Sequence, residues 1–417
     1  MSSVFPFAPR LLPWLAVAAM SSAGASPIDI PTLQRLGMEG NGLVRAAQAE
    51  LRMAEAGVTS ASALPNPQLA LLRGQDQARI ADAVGGGTRS LFISQPIENP
   101  VLRGARIASA EAGITASRAG LERTRADVAA EIRVRAYELL LRQEQARAAA
   151  DELKLLEGMR DRIKVRVEVG ESARYELIKA DSEVLAARSR QEAAQLQAQR
   201  VRVALLLLTG AGLAPDFELR ASLLDPVRQS GLDALRQQAL DANPDLARLQ
   251  AELERAQQRT RQERAAVLPS LEVVLGQQQN AELRSNVLGL NMRLPLFDRR
   301  HGPIAERVAE GERLRETLAF RRFEIGQQME SAWQAKQIAL RKMEMFEGGI
   351  VREAESVLRV AEAAYRFGER GLLDVLDAQR VLRGSRAELL QARFELHAAA
   401  AEIDRIRSQH PDRNEQK

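Results

Sequence analysis

Apolar residues recur every seven positions over long stretches of this chain. Ile107, Ile114, Leu121 and Val128 form one such row, which continues after a shift of register as Ile132, Leu139, Ala146 and Leu153. The second half repeats the pattern with Leu318, Ile325, Ala332, Ala339 and Phe346, and the last helical stretch with Leu382, Leu389, Leu396 and Ile403. A seven-residue spacing keeps one stripe of a helix against its partner, so the pattern predicts coiled-coil-like helices. No proline interrupts Val101 to Val167. A helix of that length would run about 100 Å, several times the width of an ordinary domain.

Four segments follow a period of two instead. In Val287–Leu296 the residues Leu288, Leu290, Met292, Leu294 and Leu296 share one face, and Gly289, Asn291 and Arg293 the other. Pro269–Gln278, Asn66–Gln75 and Thr88–Ile97 alternate less strictly, and polar loops at 76–87 and 280–284 join the strands into two pairs. About ten residues is the length of a tilted strand crossing a bilayer. Four strands cannot close a barrel, and an open edge cannot sit in lipid, so this reading requires further copies of the chain. The other reading of the same pattern is a small soluble sheet capping a coiled coil.

The two halves also share a turn. VRVEVGESARYELIKAD (Val165–Asp181) is echoed by AYRFGERGLLDVLDAQR (Ala364–Arg380): an offset of 198 residues pairs Gly170 with Gly368, Glu171 with Glu369, Glu176 with Asp374 and Ala180 with Ala378. Glycine takes the left-handed conformation that ends a helix at no steric cost, and Ser172 is placed to cap the helix that follows. Each half is therefore expected to hold one long helical hairpin whose tip is the repeated motif. The expected organisation is a signal peptide over 1–25, a first repeat over 26–230, a second over 231–408 and a polar tail over 409–417. Arg10, the apolar run Leu11–Met20 and Ala23-Gly24-Ala25 carry the signal reading.

Composition narrows the function. Aromatic residues are only 4% of the 417, and 59 basic residues are interspersed with 55 acidic ones, unlike the concentrated basic face of a nucleic-acid binder. With no cysteine there is no disulfide, thiolate metal site or lipid-modified cysteine. His301, His397 and His410 lie at no metal-binding helical spacing; His301 is expected at a strand-to-helix corner and His410 in a disordered tail. Gly85-Gly86-Gly87 reads as a loop tip between strands, with no helix start to cradle phosphate. Nothing points to an enzyme, a cofactor or a bound metal.

Taken in order, several motifs resemble the TolC family of outer-membrane efflux proteins over essentially the whole chain after the signal. They are Leu64-Pro65-Asn66-Pro67, Ser94-Gln95-Pro96-Ile97-Glu98 with Arg103-Gly104-Ala105-Arg106, and Leu294-Pro295-Leu296-Phe297-Asp298 with Gly302-Pro303-Ile304-Ala305, followed by Tyr365, Gly368, Arg370, Asp374 and Asp377. The corner motifs are most similar to the cobalt–zinc–cadmium branch.

The resemblance implies a mixed α/β membrane protein, a homotrimer whose four strands per chain give a twelve-stranded barrel in the outer membrane. A helical tunnel would continue it into the periplasm, with an equatorial band near Leu213–Leu235. It also implies a passive duct of a tripartite efflux system, with heavy-metal cations and an RND-type inner-membrane transporter as the first expectation and a drug or type I protein secretion duct as the second. A periplasmic scaffold or adaptor is the alternative of another class. Asp374, Asp377, Tyr365 and Arg370 would form the constriction, and Gly170, Glu171, Arg174, Gly368 and Glu369 the tips that dock a periplasmic adaptor protein.

Overall fold

The computed structural model of the chain describes residues 27–82 and 84–411. The expected signal peptide and the last six residues lie outside them.

Two long hairpins and one sheet make up the architecture. Helices α1 (Ile30–Gly40) and α2 (Gly42–Ser62) lead into strands β1 (Gln68–Asp76) and β2 (Gly86–Ile97). Helix α3 (Pro100–Glu168, 69 residues) then descends and α4 (Arg174–Thr209) returns. The second half repeats the order with α5 (Leu232–Ala242), α6 (Pro244–Ala265), β3 (Ser270–Gln279), β4 (Arg284–Arg293), α7 (His301–Met345), α8 (Val351–Arg366) and α9 (Leu372–Ile406). A five-residue π-helical segment, Phe346–Ile350, joins α7 to α8 without a break.

The sheet is antiparallel in the order β1-β2-β3-β4, so the β2–β3 pairing welds the two repeats together. One face carries Leu69, Ile93, Leu275 and Leu288 in a single cross-strand row, with Leu71 and Leu91 on one side of it and Leu290 and Met292 on the other. These side chains are exposed in the single chain. The opposite face is mixed, with Ser90, Ser94, Gln278, Gly289 and Asn291 interspersed with Ala70, Leu72, Phe92, Val274 and Val287.

Three strand boundaries correct the sequence reading. Asn280 Oδ1 accepts from the amides of Glu282 (3.1 Å) and Leu283 (2.6 Å), making a turn tight enough for β4 to begin at Arg284. Strand β4 ends at Arg293, so Leu294 and Leu296 leave the alternation; Pro295, with no amide donor, cannot extend the ladder. Gly86 and Gly87 are not a loop tip but pair within β2 against Asp76 and Gln75.

The seam positions form the core. Ile132, Leu139 and Ile325 are fully buried, and Ala332, Ala339, Leu396 and Ile403 are buried as well. At the waist the last turns of α4 and α9 meet the starts of α2 and α6. Asn41 caps α2 through Leu43 N (2.8 Å) while its Nδ2 donates to Leu208 O of α4 (3.0 Å). Asn243 does the same for α6 and α9, with Asp245 N at 2.9 Å and Ile406 O at 2.8 Å. One side chain thus satisfies orphan groups at two helix ends at once. Gly40 permits this approach, since a Cβ there would stand 2.3 Å from Thr209 O. Two residues after Asn243, the buried Asp245 of α6 binds Arg123 of α3 (2.7 Å) and Arg321 of α7 (2.6 Å), tying three helices.

The equatorial segment expected near Leu213–Leu235 is irregular up to the start of α5, with Phe217 and Leu223 buried under it and Leu219 bridging Ile28. His410 is corrected from the expected tail: it is buried, and its Nε2 lies 3.2 Å from Glu122 of α3. That hydrogen bond is the main cause that holds the Glu122 carboxyl below its ordinary pKa. The chain turns into this position through Ser408, which adopts a left-handed φ of 53° with Ser408 N donating to Arg405 O and Gln409 N to Asp404 O.

At the strand-to-helix corner, Arg106 pairs with Glu98 and donates to Ala61 O (2.8 Å), while Arg103 donates to Ser62 O (2.7 Å). The motif Glu98…Arg103…Arg106 therefore caps the carbonyl end of α2. Its counterpart at the second corner is Arg300 paired with Glu263, next to His301, which opens α7.

Candidate functional site at the hairpin tips

The two tips pack against each other. Ile163 of α3, Ala180 and Val184 of α4, Ala361 of α8 and Leu372 and Val375 of α9 share one core. Both turns use the same hydrogen bonds. Glu171 N donates to Arg166 O (2.7 Å) and Gly170 N to Val167 O (3.1 Å); Glu369 N donates to Ala364 O (2.9 Å) and Gly368 N to Tyr365 O (3.1 Å). These are paired Schellman closures, with φ of 82° at Gly170 and 75° at Gly368.

The turn places the extended N-cap residue at Ala173 and at Gly371, neither with a side-chain cap. Ser172 therefore does not cap α4 as expected. Its hydroxyl donates to the Glu176 carboxylate instead.

A Cβ at residue 368 would meet nothing within 4 Å, so a substitution there tests backbone conformation alone. Gly368→Pro removes the amide donor and cannot hold a positive φ, whereas Gly368→Asn tolerates it. If the tips serve the export that the resemblance implies, proline is expected to impair it in a metal-tolerance assay at normal protein abundance, and asparagine to leave it nearly intact. Equal tolerance for both variants would show that the turn geometry is immaterial.

Tyr365 links the hairpins. Its hydroxyl donates to Glu176 Oε2 (3.2 Å), the oxygen that also receives Ser172, and the Arg166 guanidinium lies 5.4 Å from its ring centroid. Burial, with the Glu176 charge second, pushes the phenol pKa up and keeps the hydroxyl a donor. Arg370 reaches forward to Asp374 (3.6 Å) and Arg380 back to Asp377 (3.6 Å), all on one exposed surface. Asp374 is the third residue of α9, where a carboxylate also complements the helix dipole. Both aspartates face away from the buried Leu372, Val375 and Leu376, and the Asp377 side chain is 72% exposed. Glu171, Arg174 and Glu369 are exposed, Glu171 loosely paired with Arg166 at 4.0 Å.

The sequence reading missed the apolar residues beside these charges. Val169 and Phe367 occupy equivalent positions at the offset of 198, as do Tyr175 and Leu373, and all four are exposed. Phe367 is 81% exposed. The offset that revealed the glycines would have paired them too. Solvent-facing aromatic and aliphatic residues thus repeat on both tips beside the charges. Among the described residues no cluster of potential ligands could hold a metal ion, and no helix is long and apolar enough to cross a membrane.

The family profile described as "Outer membrane efflux protein" matches this chain twice, over residues 38–211 and 235–407, one match per repeat. The cobalt-zinc-cadmium resistance protein CzcC of Cupriavidus metallidurans is 27% identical over 384 residues, covering 92% of this chain and 90% of that protein. Among solved structures, CusC superposes with a TM-score of 0.77 at 16% identity, covering 92% of each chain. VceC of Vibrio cholerae gives 0.75 at 17%, covering 91% of this chain and 96% of that one. With a duplicated family match, the four-stranded sheet and the paired hairpins, the chain belongs to the outer membrane efflux protein family: a transport channel of the outer membrane that extends into the periplasm, not an enzyme.

Proposed function

We propose that three copies of this chain form a duct that carries heavy-metal cations from a tripartite pump to the cell exterior. The observation that carries the trimer is the sheet: its apolar face is exposed, and β1 and β4 each leave one edge unpaired. Open edges are not tolerated in lipid, and three such sheets joined edge to edge give a twelve-stranded closed barrel. The face with the leucine rows then meets the acyl chains and the mixed face, with Ser90, Ser94, Gln278 and Asn291, lines the lumen. Heavy-metal cations are favoured as cargo by the likeness to CzcC across nearly its whole length.

At the other end, Asp374 and Asp377 of each copy ring the narrow exit of the tunnel, and Tyr365 and Arg370 make the contacts that hold it closed. Carboxylate rings favour cations over anions in a pore. The tips, with Gly170, Glu171, Arg174, Gly368 and Glu369 framing the exposed Val169, Tyr175, Phe367 and Leu373, dock a periplasmic adaptor protein that links the duct to an RND-type inner-membrane transporter.

Detergent-extracted protein is expected to sediment as a trimer and to remain with outer membranes after osmotic shock. A monodisperse monomer with its strand signal intact by circular dichroism would sink the barrel reading. Loss of the gene is expected to lower tolerance to cobalt, zinc or cadmium; unchanged metal tolerance with new drug sensitivity would replace the cargo assignment.

A further inference from the structure

The apolar face of the sheet ends in a row of arginines. Arg73 on β1 lies directly opposite Arg89 on β2, Arg89 opposite Gln279 on β3, and Gln279 opposite Arg284 on β4. This row belongs to the same face as Leu69, Ile93, Leu275 and Leu288, and it lies at the end of the sheet carrying the hairpin loops, opposite the end where the helices join. All three arginines are exposed. Arg284 donates to Gln277 Oε1 (2.6 Å), and among the described residues none of the three is in an ion pair.

Like charges directly opposed across two strands destabilise a sheet. Arg73 and Arg89 are therefore poorly placed unless something anionic lies between them. With neighbouring strands about 4.8 Å apart, the row from Arg73 to Arg284 spans about 15 Å, wide enough for a disaccharide bearing phosphates. Leu71 and Leu91 stand directly beneath it, and a shallow groove at this end of the sheet is lined by Leu71, Arg73, Arg89, Leu91, Gln277 and Gln279 of this face together with Leu72 and Ser90. An arginine above apolar surface lays its stem along acyl chains and turns its guanidinium to the headgroup level. Guanidinium groups bind phosphate through paired hydrogen bonds.

We propose that the Arg73–Arg89–Arg284 row binds the phosphates of a phosphorylated glycolipid in the outer leaflet, lipid A being its membrane-embedded form. The inference rests on the barrel reading, which puts this face in lipid and the helices in the periplasm. Each copy in the trimer carries one such row, so the barrel wears an anion-binding collar at its external rim. The groove supplies apolar contact for the acyl chains, and Gln277 and Gln279 supply hydrogen bonds to sugar hydroxyls.

The test is binding of purified lipid A to the detergent-solubilised trimer, followed by native mass spectrometry. Three arms are run: intact lipid A, dephosphorylated lipid A, and intact lipid A in excess inorganic phosphate. Wild-type protein is expected to bind intact lipid A at least about tenfold more tightly than the dephosphorylated form. The triple variant Arg73→Gln, Arg89→Gln, Arg284→Gln is expected to lose that preference while remaining trimeric. Equal binding of both lipid forms by the wild type would overturn the proposal, as would complete displacement by inorganic phosphate, which would make the row a site for the free ion. If the triple variant fails to assemble, Arg89→Gln alone and the two lipid arms on wild-type protein still decide. A monomeric wild type would remove the barrel reading itself, whereas a trimer indifferent to phosphorylation removes only the collar.

Discussion

Alanine at both Asp374 and Asp377 is expected to raise, by about tenfold or more, the concentration of a trivalent cation needed to block the channel from its tip side in a planar bilayer. Both carboxylates lie on the exposed surface of α9, and their ion-pair partners among the described residues, Arg370 and Arg380, stand at 3.6 Å on solvated surface. Such pairs are held weakly, because water and salt screen them, so the carboxylates remain available to a competing cation. In the proposed arrangement two carboxylates from each of three copies would line a narrow exit, where they would concentrate counter-ions and set cation preference. Removing them is expected to weaken selectivity as well as block. Opening need not follow, since Tyr365 still holds Glu176 and the shared tip core is untouched. Unchanged block in the double variant would mean that the aspartates serve the start of α9 and face away from the lumen.

The second large effect is on stability and follows pH. His397 is 1% exposed, stacks on Tyr137 at 3.8 Å between ring centroids, and has Nε2 3.3 Å from Leu223 O. Burial pushes its pKa down from 6.5 to about 4. Unfolded chain therefore takes up a proton, as pH falls through 6.5, that the folded chain refuses until about 4. Stability attached to this group is full above pH 6.5 and is lost progressively down to about 4, by roughly 3 kcal/mol in all. His397→Phe keeps a ring against Tyr137 without a titrating group. The variant is expected to show a flatter unfolding midpoint between pH 7 and 4 than wild type. Parallel curves would place the acid sensitivity elsewhere.

The parts of this fold legible in the sequence are those set by short-range repetition. The seven-residue rows put Ile132, Leu139, Ile325 and Ile403 in the core because a helix converts spacing directly into a face. The offset of 198 found both glycine Schellman turns, since glycine is the usual left-handed residue at a helix end; Ser408, which closes α9 in the same way, gave no such signal. What stayed hidden depends on partners far along the chain. Asn41 and Asn243 look like ordinary helix caps until Leu208 O and Ile406 O arrive from more than 160 residues away. His410 looked like tail because its burial needs Glu122 of α3, 288 residues earlier. At the candidate site the glycines and charges were legible, but the exposed Val169, Tyr175, Phe367 and Leu373 were not, because apolar residues at helix ends read as core until their exposure is known.

The π-helical segment at Phe346–Ile350 acts as a phase shifter. Upstream the buried stripe advances by sevens, from Ile325 to Ala332 to Ala339 and on to the half-buried Phe346; downstream it resumes at Ala354 and Ala361. One step of the row is eight residues long, and a wide turn is how a helix absorbs the extra residue. A strict seven would have put Glu353 in the seam. Each residue turns a helix by about 100°, so a straight α-helix through this point would rotate all of α8 by that angle. Ala361 would leave the tip core and Tyr365 would swing away from Glu176. The aim of the tip is therefore set about 25 Å up the helix, by one surplus residue in the seam.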